Sequence, residues 1–147
     1  MGLHSLLTER VQIHHTIAPL ARTTTAIAGV AVDTSGYAYA TAVFHTGASG
    51  SGTSVMSVSE SATSGGSYTA ITGATYSLVD AAASDNSIVM ININLKNAAR
   101  LRFIKAEIDN GATSATSGAL IYLSRGRAHE PTQNSGQAGT AATVNVA

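Results

Sequence analysis

Between Thr23 and Arg125 the chain consists of short runs of alternating apolar and polar residues, separated by clusters of Gly, Ser, Asn and Asp. The runs do not keep the 3.6-residue apolar spacing of an amphipathic helix. Alternation with a period of two is typical of strands buried on one face, and the clusters between the runs favour turns. The pattern therefore predicts an all-β domain.

The runs have the length and the β-branched or aromatic content of strands. They are Thr25–Asp33, Tyr37–Thr46, Thr53–Ser61, Tyr68–Thr72, Tyr76–Val79, Ser87–Lys96, Leu101–Asp109 and Ala119–Ser124. Strands at this spacing are typical of a β-sandwich, a jelly roll or a small barrel, and the pattern does not reveal their order. We predict a single β-sandwich or jelly roll with an extended N-terminal arm and a C-terminal tail.

Two positions interrupt the alternation. Gly29, inside the first run, predicts a bulge or a close approach of two backbones. Within Leu101–Asp109 the apolar residues change position after Phe103, which predicts a bulge there or burial of both faces.

The two ends of the chain differ from the middle, so we divide it into residues 1–22, 23–127 and 128–147. The first segment is expected to be an arm whose apolar alternation lets it add a strand to a neighbour. The middle segment is the sandwich domain. The last is small and polar, which predicts a tail that is flexible or bound to a partner.

Composition narrows the class of protein. The chain has 147 residues, enough for one domain, and no cysteine, which excludes disulfides and thiolate metal sites. Charged residues make up 11% and the net charge is zero, which is not typical of a general nucleic-acid binder. Aromatic residues make up only 5%, which predicts stabilisation by oligomerisation or by a larger assembly.

Residues 1–20 have no apolar run typical of a signal peptide or a membrane span, so we expect synthesis in the cytoplasm.

Residues with catalytic or ligand-binding chemistry do not form a recognisable motif. His14 and His15 are adjacent and would point to opposite faces of a strand, and the loop Gly47–Gly52 lacks the strand-to-helix setting of a nucleophile elbow. We expect no enzymatic activity, no cofactor and no metal. A calcium site at Asp80 and Asp85 is the alternative that stays open.

Six of the eight basic residues lie late in the chain, and two interpretations are open. The six are Lys96, Arg100, Arg102, Lys105, Arg125 and Arg127. We favour charges that prevent aberrant pairing of edge strands. The alternative is a docking site for an acidic protein surface, whose binding would weaken with salt.

Several segments, taken in order, resemble small structural proteins encoded among the head genes of tailed bacteriophages. They are Asp33-Thr34-Ser35-Gly36, the sequence SESATSGGSYTAIT, the apolar run Ile88–Leu95, Arg100-Leu101-Arg102-Phe103, and the closing ALIYLSRGRAHEP. The resemblance covers about Asp33–Pro131 and is to capsid decoration, or head cement, proteins.

The resemblance implies a β-sandwich or jelly-roll subunit, often trimeric, that binds the outer capsid surface and stabilises neighbouring capsomers. Its partners would be the major capsid protein and other copies of itself, with neither nucleic acid nor membrane as a partner. It would be made in the bacterial cytoplasm and located on the virion. The expected partner-binding residues, in the arm and the basic segment, are His4, Val11, Ile13, Ile17, Arg100, Arg102, Lys105, Arg125 and Arg127.

Two alternatives accompany this prediction. A head–tail connector or a tail-associated β-domain fits the same pattern. A carbohydrate-binding sandwich is the other alternative, and it requires Tyr37 and Tyr39 to face solvent together.

Overall fold

The computed structural model describes residues 11–22, 26–50, 52–79, 85–111, 114–125 and 140–146, and these form ten β-strands. The strands are β1 (Val11–Arg22), β2 (Ile27–Ala28), β3 (Val32–Asp33), β4 (Tyr39–Ser49), β5 (Ser54–Ser61), β6 (Thr69–Leu78), β7 (Ile88–Asn94), β8 (Phe103–Asp109), β9 (Ala115–Ser124) and β10 (Thr140–Val146). Among the described residues no helix is long and apolar enough to span a membrane.

The strands form two sheets that pack face to face, which confirms the predicted all-β sandwich. Sheet A has the order β1-β9-β4-β7-β10. Sheet B has the order β2-β8-β5-β6, and β3 also pairs with β8. All pairs are antiparallel except β10 with β7, which is parallel.

The order of the strands decides between the expected architectures. Strand β1 pairs with β9, β2 and β3 pair with β8, β4 pairs with β7, and β5 pairs with β6. Over β1–β9 the first strand pairs with the last, and the pairing repeats inward to β5 and β6. This is the pattern of one long hairpin folded over into two sheets. It is the topology of a jelly roll.

The core lies between the sheets and is built from the inward positions of each alternating strand. Phe44, Ile91 and Ile121 from sheet A face Met56 and Ile104 from sheet B, and all of these side chains are buried. The core is aliphatic, with Phe44 as its largest side chain. Burial of these side chains supplies most of the free energy of folding.

Gly29 makes the predicted close approach between backbones. Its N–H donates to the carbonyl of Ala106 in β8 at 2.8 Å, and the next N–H, of Val30, donates to the carbonyl of Thr16 in β1 at 3.2 Å. A Cβ on Gly29 would lie 3.0 Å from the Thr16 carbonyl oxygen and 3.1 Å from that of Ala106. A side chain there would require β1 or β8 to shift by a few tenths of an ångström, so glycine suits this junction between the two sheets.

Strands β6 and β8 differ from the sequence interpretation. The two runs Tyr68–Thr72 and Tyr76–Val79 form a single strand, β6, because Gly73 continues the chain through a positive φ of 84°. The bulge predicted near Phe103 is wrong, since β8 keeps an unbroken register with β5 from Phe103 to Asp109. Its odd positions face outward and its even positions inward, as in any regular strand.

Two segments that we expected outside the sandwich domain contain strands of sheet A. Residues 11–22, which we assigned to an arm, are the first strand of the jelly roll, because their alternation lets them pair along β9. Residues 140–146, which we assigned to the tail, add to the free edge of β7. Residues 1–10 and 126–139 lie outside the described part of the chain.

We predict that Phe44→Ala lowers the free energy of unfolding by about 3–5 kcal/mol, because it leaves a cavity at the centre of the core. Urea denaturation would measure the change. The matched control is Phe103→Ala, on a half-buried outward position. Equal losses for the two variants would contradict this account of the core.

Candidate interaction surface

The outward side of sheet A forms a broad surface, which we call face A. Its residues lie in rows across the strands because each pair is in register. They are Val11, Ile13 and His15 on β1, Leu120, Tyr122 and Ser124 on β9, Tyr39, Thr41, Val43 and His45 on β4, Ile88, Met90, Asn92 and Asn94 on β7, and Thr143 and Asn145 on β10.

Face A carries no Asp, Glu, Lys or Arg among these described positions. Its centre is apolar, with Val43 beside Leu120 on one side and Met90 on the other. Met90 is buried but does not belong to the core between the sheets. Ile13 and Ile88 extend the apolar area, with 49% and 37% of their surface exposed.

A row of hydrogen-bonded polar side chains borders the apolar centre. The Thr41 hydroxyl donates to Asn92 Oδ1 at 2.8 Å, and Asn92 Nδ2 donates to Asn145 Oδ1 at 2.9 Å. These side chains satisfy much of one another's hydrogen-bonding capacity. A partner covering the row would therefore displace few strongly hydrated groups.

The outward side of sheet B is different in character. Strand β8 places Lys105, Glu107 and Asp109 there, and the neighbouring β5 places Ser57 and Ser59. The Ser59 hydroxyl donates to Glu107 Oε1 at 2.6 Å. The molecule is therefore two-sided, with an uncharged face and a polar, charged face.

Two histidines lie on face A. His15 on β1 and His45 on β4 are separated by β9 at the level of Gly118 and Leu120, and Gly118 places no side chain between them. Partial burial, and then the nearby His15, lower the pKa of His45 below its ordinary value of 6.5. Acidification would thus place charge on an otherwise uncharged surface.

One end of the sandwich, which we call the basic end, collects most of the positive charge. Its described charged residues are Asp33, Glu60, Lys96, Arg100, Arg102, Lys105 and Arg125. They come together because β3, β5, β7 and β9 end there and β8 begins there. The described charged residues toward the other end are Arg22, Asp85, Glu107 and Asp109.

Two of the arginines are neutralised within the protein. Arg100 Nη1 lies 3.3 Å from Glu60 Oε1, with each side chain 13% exposed, and Glu60 Oε2 also accepts from the N–H of Leu101 at 2.9 Å. Arg102 makes an exposed bidentate pair with Asp33, at 3.0 and 2.7 Å. Hydrogen bonds from Arg102 and from the Ser35 N–H lower the pKa of Asp33 to about 2.

Three further cations at this end lie over aromatic rings instead. Lys105 Nζ is 4.1 Å from the ring centre of Tyr68, Lys96 Nζ is 5.0 Å from that of Tyr39, and the Arg125 guanidinium is 5.5 Å from that of Tyr37. Within the described residues none of the three pairs with a carboxylate. Their charge is available to an acidic partner, as the docking interpretation requires.

The expected partner-binding residues fall into separate places. Val11 and Ile13 lie on face A, and Arg100, Arg102, Lys105 and Arg125 lie at the basic end. Ile17 is 3% exposed and belongs to the core, so its side chain does not reach a partner, and the expectation for it is corrected. The register shifts on either side of Ile17 turn its side chain toward the core. His4 and Arg127 lie outside the described residues.

The tyrosines do not form the open platform that a sugar site requires. Tyr37 packs against the core, its hydroxyl donates to Gln12 Oε1, and Arg125 lies over its ring. Tyr39 is half-buried with Lys96 over its ring. Since both rings already stack against cations, this pair does not favour carbohydrate binding.

The described residues contain no group of three His, Asp or Glu side chains that could hold a metal ion. Asp80 lies outside them, so the calcium hypothesis at Asp80 and Asp85 stays a prediction. Sequence reasoning missed face A as a whole. The signal was present in the strands, because the outward positions of β4, β7 and β9 all lack charge.

Comparison with known proteins gives one structural match. No family model matches the chain, and no curated protein matches it. The fold is similar to the crystal structure of PBSX exported protein XepA, with a TM-score of 0.57 and 14% sequence identity. The likeness shows a shared fold. It covers 93% of this chain but 44% of XepA, so this chain spans less than half the length of that protein.

We predict that Glu60→Ala lowers the free energy of unfolding by about 3 kcal/mol, because it leaves Arg100 mostly buried without its partner. Asp33→Ala is the matched control, since it removes the exposed pair with Arg102 and should have a smaller effect. Urea denaturation at neutral pH compares them. An equal or larger loss for Asp33→Ala would contradict the distinction.

We predict that stability declines as the pH falls below about 6.5, because the unfolded chain then binds a proton that His45 in the folded state resists. The contribution is present above that pH and is lost as the pH falls through the lowered pKa. His45→Gln should flatten this part of the profile, measured by thermal unfolding between pH 5 and pH 8.

His15→Gln should raise the pKa of His45, because it removes the nearby His15 that lowers this pKa. NMR titration would measure the change, and an unchanged value would show that the two rings do not interact.

Proposed function

We propose that this protein is a structural component of a tailed-bacteriophage virion, a head decoration protein that binds the outer capsid surface. It would stabilise neighbouring capsomers there. The resemblance of Asp33–Pro131 to head cement proteins suggests this role, and the jelly-roll fold suits such a subunit.

Face A is the observation that carries the proposal. A surface with an apolar centre and no charge can be buried against another protein at a low desolvation cost. The opposite side, with Lys105, Glu107 and Asp109, is suited to solvent. A subunit that lies on a shell needs this combination of one side to bury and one side to expose.

The basic end would orient the subunit. Lys96 and Arg125 are held by aromatic rings and are not neutralised by described carboxylates, so they can attract an acidic rim on the capsid. Charges around the border of an apolar contact increase the rate and specificity of association more than its final affinity. Raising the salt concentration should therefore slow binding.

Stabilisation of the capsid would follow from selective binding to the assembled shell. A protein that binds the assembled shell better than its separated parts stabilises the shell by mass action. The small aromatic content of the core also supports self-association, and we propose a homotrimer as the bound form. Trimers would place copies of face A side by side on the capsid.

The test measures binding of the full chain to expanded, undecorated capsids by co-sedimentation. Val43→Glu places a charge in the centre of face A and should weaken binding by about tenfold or more. Ser57→Glu is the matched control, since Ser57 is equally half-buried but lies outward on sheet B, and it should bind like the native protein. Thermal unfolding of both variants checks that they are folded.

Three results would contradict the proposal. Equal binding by Val43→Glu and the native protein would remove face A from the contact. Native protein that ignores capsids but binds purified tail tubes would indicate tail association instead. Native protein that binds neither particle would contradict a role on the virion surface.

A further inference from the structure

The edge of β7 that lies opposite β4 is covered by β10 and not by the nested strand pairs of the jelly roll. In the nested jelly roll β7 pairs with β4 on one side only, and its other edge would be open. The strand is uncharged from Ile88 to Asn94 and apolar over its first four residues, with no proline or bulge in its pairing to β4. An open edge of this kind pairs readily with any available strand.

Strand β10 covers this edge and also contacts β6 of the opposite sheet. It runs parallel to β7, and Val144 and Val146 pack against the border of the core. Its polar side-chain contact is the hydrogen bond between Asn92 and Asn145. The jelly roll is complete without β10, so β10 behaves as an added strand that fills a vacant position.

The length of the connection allows more than one recipient for β10. Strands β9, β7 and β10 run in the same direction, so Ser124 and Thr140 lie at opposite ends of sheet A. The direct path between them is about 25 Å, from a strand length of about 20 Å and a sideways step of about 14 Å across β4 and β7. When fully extended, the chain between Ser124 and Thr140 can span about 50 Å.

The surplus of about 25 Å exceeds the width of a five-stranded sheet, which is about 20 Å. A strand carried on such a connection can therefore reach the equivalent edge of an adjacent copy. Exchange would keep every contact of β10, since the same backbone bonds, the two valines and the Asn92–Asn145 pair would form between chains. Its cost is then small, and close spacing of copies favours it.

We propose that β10 is exchanged between copies of this protein, so that the β10 of one chain completes sheet A of another. The occupant of the β7 edge is thus a second copy, which supplies residues 140–146. The exchange would link copies through backbone hydrogen bonds. It does not depend on capsid binding and would be present in the purified protein.

The test uses the absence of cysteine from the chain. One tagged chain carries Asn92→Cys and a differently tagged chain carries Asn145→Cys, and the two are co-expressed and oxidised. These positions are register partners whose native side chains are hydrogen bonded at 2.9 Å. If β10 is exchanged, non-reducing electrophoresis shows a disulfide-linked heterodimer that contains both tags.

A second pair guards against a local folding defect in the first. Met90→Cys and Thr143→Cys are also register partners in β7 and β10, and they should give the same heterodimer. Ser57→Cys combined with Asn145→Cys is the negative control, since Ser57 lies on sheet B. The control should give at most a trace of the mixed dimer.

The double variant, with both cysteines in one chain, distinguishes the outcomes further. Exchange predicts covalently linked oligomers after oxidation, and light scattering of the native protein should show an oligomer. Internally bridged monomers from the double variant, with no heterodimer from either mixed pair, would overturn the proposal. A native protein that is monomeric at all concentrations would overturn it as well.

Discussion

The packing of two β-sheets through aliphatic side chains is the interaction on which the rest of the molecule depends. The chain has no tryptophan and few other aromatic residues, so its core relies on isoleucine, valine, leucine, methionine and a single buried phenylalanine, Phe44, within the described residues. β-branched side chains suit this arrangement because they fill the pleated inner surface of a strand. At Gly29 and Val30 two backbone hydrogen bonds then link the segment after β2 to β8 in sheet B and to β1 in sheet A.

Because each strand alternates, filling the inner faces leaves two outer faces free to differ. Sheet B uses its outer positions for serine, lysine and acidic residues, which keep that side hydrated. Sheet A uses its outer positions for valine, leucine, methionine, asparagine and histidine. A protein with one hydrated and one uncharged side is suited to lying on another surface, which is the basis of the proposed role in the virion.

The two edges of sheet A are protected from further strand pairing in different ways. On the β1 side, register shifts after His15 and after Ile17, together with Pro19, interrupt the edge and discourage further pairing. On the other side the regular edge of β7 is covered by β10. The protein thus protects one edge by irregularity and the other by adding a strand, and the added strand has a connection long enough to serve a neighbour.

Period-two alternation by itself determined the all-β class and the positions of most strands, because the face on which a residue lies in a strand depends only on local spacing. The late cluster of basic residues was visible directly from the positions of lysine and arginine along the chain. The tertiary structure alone decided the jelly-roll order, the inward position of Ile17, the union of two runs in β6 and the strand at 140–146. Each of these depends on backbone hydrogen bonds between residues far apart in the chain, or on a single bulge or a positive φ. Face A depends on both the sequence and the tertiary structure. Alternation along each strand supplies its uncharged residues, and the pairing of β1, β9, β4, β7 and β10 places them on one surface.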